Sequence, residues 1–123
     1  LFPVDFPMEK NINISIFEVV GSSLCVASDD GHKVYHRLVA ALGKNLHVCL
    51  SFRNISTLTS AFLNTAIGQL YGEFDEKRIR ELLKVEDIEP DDVALLKHVV
   101  VNAKQYFEDE AAFGKALLET TED

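Results

Sequence analysis

The sequence predicts an α/β domain: a small mixed or parallel sheet of about four strands, with helices packed mainly on one face. Three observations predict it. Ile12, Ile14 and Ile16 alternate with Asn11, Asn13 and Ser15, the period-two pattern of a half-buried strand. His47–Phe52 is a nearly continuous apolar run, as in a central strand covered on both faces. Around these runs, apolar residues recur at intervals of three and four, so helices alternate with strands.

Each element has a local reason. Phe2-Pro3 and Phe6-Pro7 make residues 1–10 an extended lead-in, because a residue before proline avoids the helical region. The first strand starts at Asn11 and runs towards Val20. Gly21-Ser22-Ser23 is a turn, and Leu24–Ala27 is a second short strand or an irregular apolar segment. Ser28-Asp29-Asp30-Gly31 offers caps for a helix carrying Val34, Tyr35, Leu38, Val39 and Leu42, with Gly43 as its stop.

After the His47–Phe52 strand, Leu58, Phe62, Leu63, Ala66, Ile67, Leu70 and Tyr71 form the most regular helical stripe. Ser56, Thr57 or Thr59 caps this helix and Gly72 ends it, while Gly68 inside it allows close packing on the sheet. Asp75–Leu83 reads as a short helix and Val85–Ile88 as the last strand. Glu89-Pro90-Asp91-Asp92 opens the final helix: proline fits the first turn, and acids favour the positive end of the dipole. Val93, Leu96, Val99, Val100, Ala103 and Phe107 supply its apolar stripe.

The chain has 123 residues, a hydrophobic fraction of 47% and a net charge of −8. Its length fits one hydrophobic core, and its apolar content is too high for disorder. The acidic excess argues against nucleic acid or an anionic lipid surface as the main partner. Six acids and two lysines lie in Lys104–Asp123, so much of the charge belongs to an acidic helical extension over residues 108–123. Uncharged runs are about strand length, well short of the ~20 apolar residues of a membrane span. Leu1–Lys10 lacks a basic start and an apolar core, so no export signal is expected there. Cys25 and Cys49 each sit in an apolar stretch and read as two buried thiols of a cytoplasmic protein.

The segment from Leu50 to Leu70 carries a resemblance. A strand ends in Phe52, a short loop holds Ile55, and hydroxyl residues open an amphipathic helix. Phe52, Ile55, Thr59, Ser60, Phe62, Gly68 and Leu70 fit the register of the STAS-like family of unknown function. That family is a bacterial relative of the STAS domains of sulfate transporters and anti-sigma-factor antagonists. The similarity covers about residues 11–107. In the family pattern an aspartate ends the strand and a serine run opens the helix; here Ser51 stands at the aspartate's place and Ala61 at the last serine's.

The resemblance implies a non-catalytic regulatory module whose partner is a kinase-like ATPase or another signalling domain, with a homodimer also compatible. Arg53, Asn54, Thr57, Thr59 and Ser60 are the candidate docking residues. A phosphoswitch of the anti-sigma kind has no acceptor at Ala61, which leaves Ser60 or Thr59. A second reading is a small-ligand domain holding a nucleotide or another anion at the helix start near Thr59-Ser60. In a third, these hydroxyls only cap the helix.

Other constellations are weaker. His32 and His36 are four apart and share a helix face, a spacing that zinc sites use, but no His-Glu-x-x-His motif is present. No Gly-x-Ser-x-Gly elbow or glycine-rich phosphate loop occurs. No cofactor is expected, and no nucleophile, base and orienting group assemble into an active site.

Overall fold

In the computed structural model the backbone is described for residues 11–122 and the side chains for residues 11–111; the lead-in over residues 1–10 and the side chains of the acidic extension beyond residue 111 lie outside what is described. Alternating Ile and Asn make Asn11–Ser15 strand β1. It pairs in parallel with β3 (His47–Ser51), which pairs in parallel with β5 (Leu83–Glu86), giving the order β1-β3-β5. Ile12, Val48 and Leu83 form one row across the sheet, and Ile14, Leu50 and Val85 the next. Ile14, Val48 and Leu50 are buried, each contributing about 1.5–3 kcal/mol of apolar burial.

The expectation of a β3 covered on both faces is corrected by this register. Side chains alternate across a strand, so Asn13, Cys49 and Lys84 share the opposite face, as do Ser15, Ser51 and Glu86. Asn13, Lys84 and Glu86 are exposed and Cys49 is only half-buried. Helices therefore serve one face, while the other is polar and open among the described residues.

The strand count is also corrected. Three strands form the main sheet, and β2 (Leu24–Cys25) pairs in parallel with β4 (Thr57–Leu58) as a separate two-stranded ribbon. Thr57 thus lies in a strand rather than in a helix cap. The first strand stops early, because the Ser15 hydroxyl accepts a bond from the Glu18 N–H at 3.2 Å and starts helix α1 (Ile16–Val20). Gly21, at φ 80°, ends that helix.

Helix α2 (Ser28–Gly43) buries Val34, Leu38, Ala41 and Leu42. Ala27 occupies its cap position without a side-chain bond, so Asp29 and Asp30 act from within the first turn. Its stop is Asn45, which takes a left-handed φ of 61°, rather than Gly43. Gly31 marks a close crossing: a Cβ there would lie 2.8 Å from the Phe62 carbonyl oxygen. Across that contact, α3 (Ser60–Leu63) runs through a π-helical turn (Asn64–Gly68) into α4 (Leu70–Glu73). Phe62, Leu63, Ala66, Ile67 and Leu70 are all buried.

Asp75 caps α5 (Glu76–Leu82), whose Arg78 guanidinium donates to the Leu42 carbonyl at 2.9 Å. The last strand begins two residues before the expected Val85, and Asp87, at φ 58°, ends it. Helix α6 (Pro90–Glu122) is continuous, so residues 108–122 prolong it. Two glycine roles change here. A Cβ on Gly68 would lie 2.7 Å from the Asn64 side-chain oxygen one turn back and 3.5 Å, an ordinary contact, from Ala103 of α6, so Gly68 faces its own turn and α6 rather than the sheet. Gly72 does not end its helix; it makes room for the Phe107 ring, which would lie 2.5 Å from a Cβ. Among the described residues, no helix is long and apolar enough to cross a membrane.

Candidate functional site

Two neighbouring surfaces are built around the loop that follows β3. The first is the β2–β4 ribbon with the start of α3. Ser56 and Thr57 both donate their backbone N–H to the Ser23 carbonyl, at 2.9 and 3.3 Å. The Ser56 hydroxyl reaches the Ser23 carbonyl and hydroxyl at 3.3 and 3.2 Å. The Thr59 N–H donates to the Cys25 carbonyl at 3.2 Å. These bonds hold β4 against β2 in a register that pairs Leu24 with Thr57 and Cys25 with Leu58.

The ribbon buries Cys25 and half-buries Leu58. Alternation then turns Leu24, Val26 and Thr57 outwards. Leu24 is 54% exposed and Val26 46%. Two large apolar side chains thus stand in solvent: Leu24 opposite the exposed Thr57, and Val26 at the residue whose carbonyl Thr59 bonds, one position before the exposed Ser60.

Thr59 is already occupied. Its hydroxyl donates to the Val26 carbonyl at 3.0 Å and accepts from the Phe62 N–H at 3.2 Å. A hydroxyl has one proton to give, so Thr59 is a structural cap that also pins the end of β2 to α3. Ser60 is exposed, and its hydroxyl has no protein hydrogen bond among the described residues. Of the two hydroxyls picked from sequence, Ser60 is the accessible one.

The second surface lies at the carboxyl ends of β3 and β5. The Phe52 N–H donates to the Glu86 carbonyl at 3.0 Å, extending the ladder by one residue. The chain then turns, with the Ile55 N–H donating to the Phe52 carbonyl at 3.3 Å and Asn54 at φ 67°. The Ser51 hydroxyl accepts from the Arg53 N–H at 3.2 Å and donates to the Asp87 carboxylate at 3.0 Å. Between the two loops opens a cleft of about 360 Å³. Phe52, Arg53, Asn54 and Ile55 line it from the β3–β4 loop; Asp87, Ile88, Glu89 and Asp92 line it from the other side.

Arg53 and Asn54 are therefore brought together with Asp87, which the sequence reading did not single out, and with Glu89 and Asp92, which it read only as the start of the final helix; Thr57 and Thr59 are brought together with the unforeseen Leu24 and Val26. A signal existed for the acids: in a parallel sheet the loops after adjacent strands meet at one end. No comparable signal existed for Leu24 and Val26, since an apolar run does not reveal which member faces water.

His32 and His36 lie side by side on the exposed surface of α2, with ring centroids 6.2 Å apart. Among the described residues, no three His, Cys, Asp or Glu side chains group as metal ligands. Cys25 is buried as expected, whereas Cys49 is only half-buried because it lies on the open sheet face. Burial, reinforced by Asp30, pushes the Cys25 thiol up to about 11. Partial burial, a hydrogen bond with Glu86 and the charges of Glu86 and Asp87 push Cys49 up to about 11, against the opposing pull of Lys84. Both thiols stay protonated at neutral pH, the opposite of an activated nucleophile.

Comparison with curated proteins and with solved structures finds no match to this chain. The sequence model of the STAS-like domain of unknown function matches residues 30–93, a span that runs from the first turn of α2 through the ribbon strand β4 to the first turn of α6. This α/β chain belongs to that STAS-like domain family.

Proposed function

We propose that the chain is a non-catalytic interaction module that docks a protein partner through residues 53–63, with Leu24 and Val26 completing the surface. One observation carries this reading: Leu24 and Val26 stand exposed on the ribbon, Leu24 paired with Thr57 and Val26 bonded by Thr59 at the start of α3. Leaving two such side chains in water forgoes about 1.5–3 kcal/mol each, a gain that a docked partner recovers. An apolar centre with a polar rim is the general anatomy of a protein interface.

The resemblance to anti-sigma-factor antagonists points to a kinase-like ATPase or another signalling domain as the partner, in a bacterial cytoplasm. Ser60 sits where a phosphate would add about −1.5 to −2 charges to this face. Anion binding at the helix start is the weaker reading. An anion there competes with the Thr59 hydroxyl for the Phe62 N–H, and α3 has only four residues before the π turn.

Affinity capture from the native host tests the docking reading, with wild type compared against Leu24→Asp, Val26→Asp and Ser60→Glu. The expected result is a partner held by wild type and lost by all three variants, with unchanged unfolding curves. A partner retained by all three overturns the proposed face. Thermal-shift measurements with millimolar ATP and inorganic phosphate test the anion reading, which predicts a shift that Ser60→Glu abolishes.

A further inference from the structure

We propose that the cleft between the β3–β4 loop and the β5–α6 loop binds a small zwitterion, a molecule carrying both a carboxylate and an ammonium or guanidinium group. This inference goes beyond partner docking: the β3–β4 loop residues Arg53, Asn54 and Ile55 belong to both surfaces, but the ligand and the acids of the β5–α6 loop belong to the cleft alone. The cavity measures about 360 Å³, within the ~300–1,000 Å³ range of small-molecule sites. It lies at the carboxyl ends of two neighbouring parallel strands, β3 and β5, where the loops that follow them meet.

Its walls carry opposite charges on different loops. Arg53 comes from the segment after β3; Asp87, Glu89 and Asp92 come from the segment after β5. Among the described residues, the ion pairs are Lys33–Asp30, Arg80–Glu76 and Lys104–Glu76, so these four side chains form no ion pair with each other or with another described residue, and Asp87 is held only by the Ser51 hydroxyl. Phe52 is buried, while Ile55 and Ile88 are half-buried, which gives the cleft an apolar component between its charges.

The charges select the ligand class. A simple anion faces three carboxylates, and a simple cation faces the Arg53 guanidinium. A zwitterion satisfies both, with its carboxylate on Arg53, where a paired geometry is available to guanidinium, and its cationic group among the acids. The excess of acids favours a ligand with a second cationic group, so the basic amino acids are the leading class. The cleft is also held in shape beforehand. The Ser51 hydroxyl joins Arg53 N–H to the Asp87 carboxylate, and Asn54 and Asp87 hold left-handed backbone, a conformation that concentrates at binding sites. Preorganisation of this kind reduces the ordering cost of binding.

Amide chemical-shift titration of the full chain tests the proposal with L-arginine, L-lysine, L-glutamine and glycine betaine as probes. Agmatine, which lacks the carboxylate, and glutarate, which lacks the cation, are the controls. The expected result is saturable millimolar binding of at least one zwitterion, with shifts at Asn54, Ile55, Asp87 and Ile88. The matching control binds about five-fold or more weakly, and Arg53→Met and Asp92→Asn each weaken the zwitterion about five-fold. No saturable shift at these amides with any of the four probes overturns the proposal. Equal binding of agmatine and L-arginine overturns it too, leaving only a cation-attracting surface. Neither failure touches the docking reading, whose test reads Leu24, Val26 and Ser60.

Discussion

The Ser51 hydroxyl donates a 3.0 Å hydrogen bond to the carboxylate of Asp87, 36 residues later in the chain, and accepts the Arg53 N–H at 3.2 Å. One side chain therefore ties together the two loops that form the cleft. The family pattern has an aspartate at this strand end; here a neutral hydroxyl stands on β3, and the carboxylate it contacts belongs to the residue after β5.

Ser51→Ala removes both bonds at once. Each is exposed to solvent, so the expected cost is about 0.5–1.5 kcal/mol, read by urea denaturation. The larger effect is local: the Arg53 amide loses its partner, and its hydrogen exchange accelerates while amides of β3 stay protected. Unchanged exchange at Arg53 would show that the turn at Asn54 holds the loop without Ser51.

Thr59 gives a sharper contrast. Thr59→Ala removes the cap on the Phe62 N–H and the donor to the Val26 carbonyl, and costs about 1–2 kcal/mol. Thr59→Ser restores both bonds and most of the stability, whereas Thr59→Val restores only the shape. Ser60→Ala, one residue on, stays within about 0.5 kcal/mol. Chemical denaturation of the four variants checks the order, and a Ser60 effect as large as that of Thr59 would contradict the cap assignment.

How much of this was legible in the sequence follows from which forces act locally. The alternation around Ile14, the stripe through Phe62 and the start at Pro90 are local patterns, and each produced the expected type of element. The capping role of Thr59 was equally legible, because the bond to Phe62 spans three residues. Pairings made at a distance were not. The β2–β4 ribbon depends on Ser23 meeting Ser56, and neither strand is long enough to show a period. The open face of β3 was hidden because Cys49 and His47 look apolar or neutral in sequence; Asn13 and Lys84, their companions on that face, belong to other strands.

Glycines on α2 separate close packing from helix propensity. Gly31→Ala puts a Cβ 2.8 Å from the Phe62 carbonyl oxygen and 3.0 Å from the Thr65 Cβ. Backbone cannot yield as a flexible side chain does, so the crossing must open, at an expected cost of about 1–3 kcal/mol. Gly43→Ala meets nothing within 4 Å and gains up to ~1 kcal/mol from helix propensity. Opposite signs in thermal unfolding are the expected outcome; a neutral Gly31→Ala would mean that α2 slides along the α3–π segment without loss.

Glu76 and Lys104 set a pH window for the docking of α6 against α5. Their contact is 2.8 Å. The hydrogen bond from Lys104 holds the Glu76 carboxyl below its ordinary value, and the same bond raises Lys104. A depressed acid stabilises the fold above its unfolded value, and the contribution is lost as pH falls through the lower folded value. A raised amine stabilises below its unfolded value, and that contribution is lost as pH rises through the higher folded value. The pair therefore acts from above the ordinary carboxylate range up to the ordinary lysine range, and fades in stronger acid and in stronger alkali. Both groups are open to solvent, so added salt weakens the coupling. A double-mutant cycle with Glu76→Gln and Lys104→Met, run by denaturation at several pH values, should show coupling at neutral pH that vanishes in acid and shrinks in high salt. Coupling that persists with Glu76 protonated would assign the contact to packing of the Lys104 stem against Tyr71 and Phe107, which line the same groove.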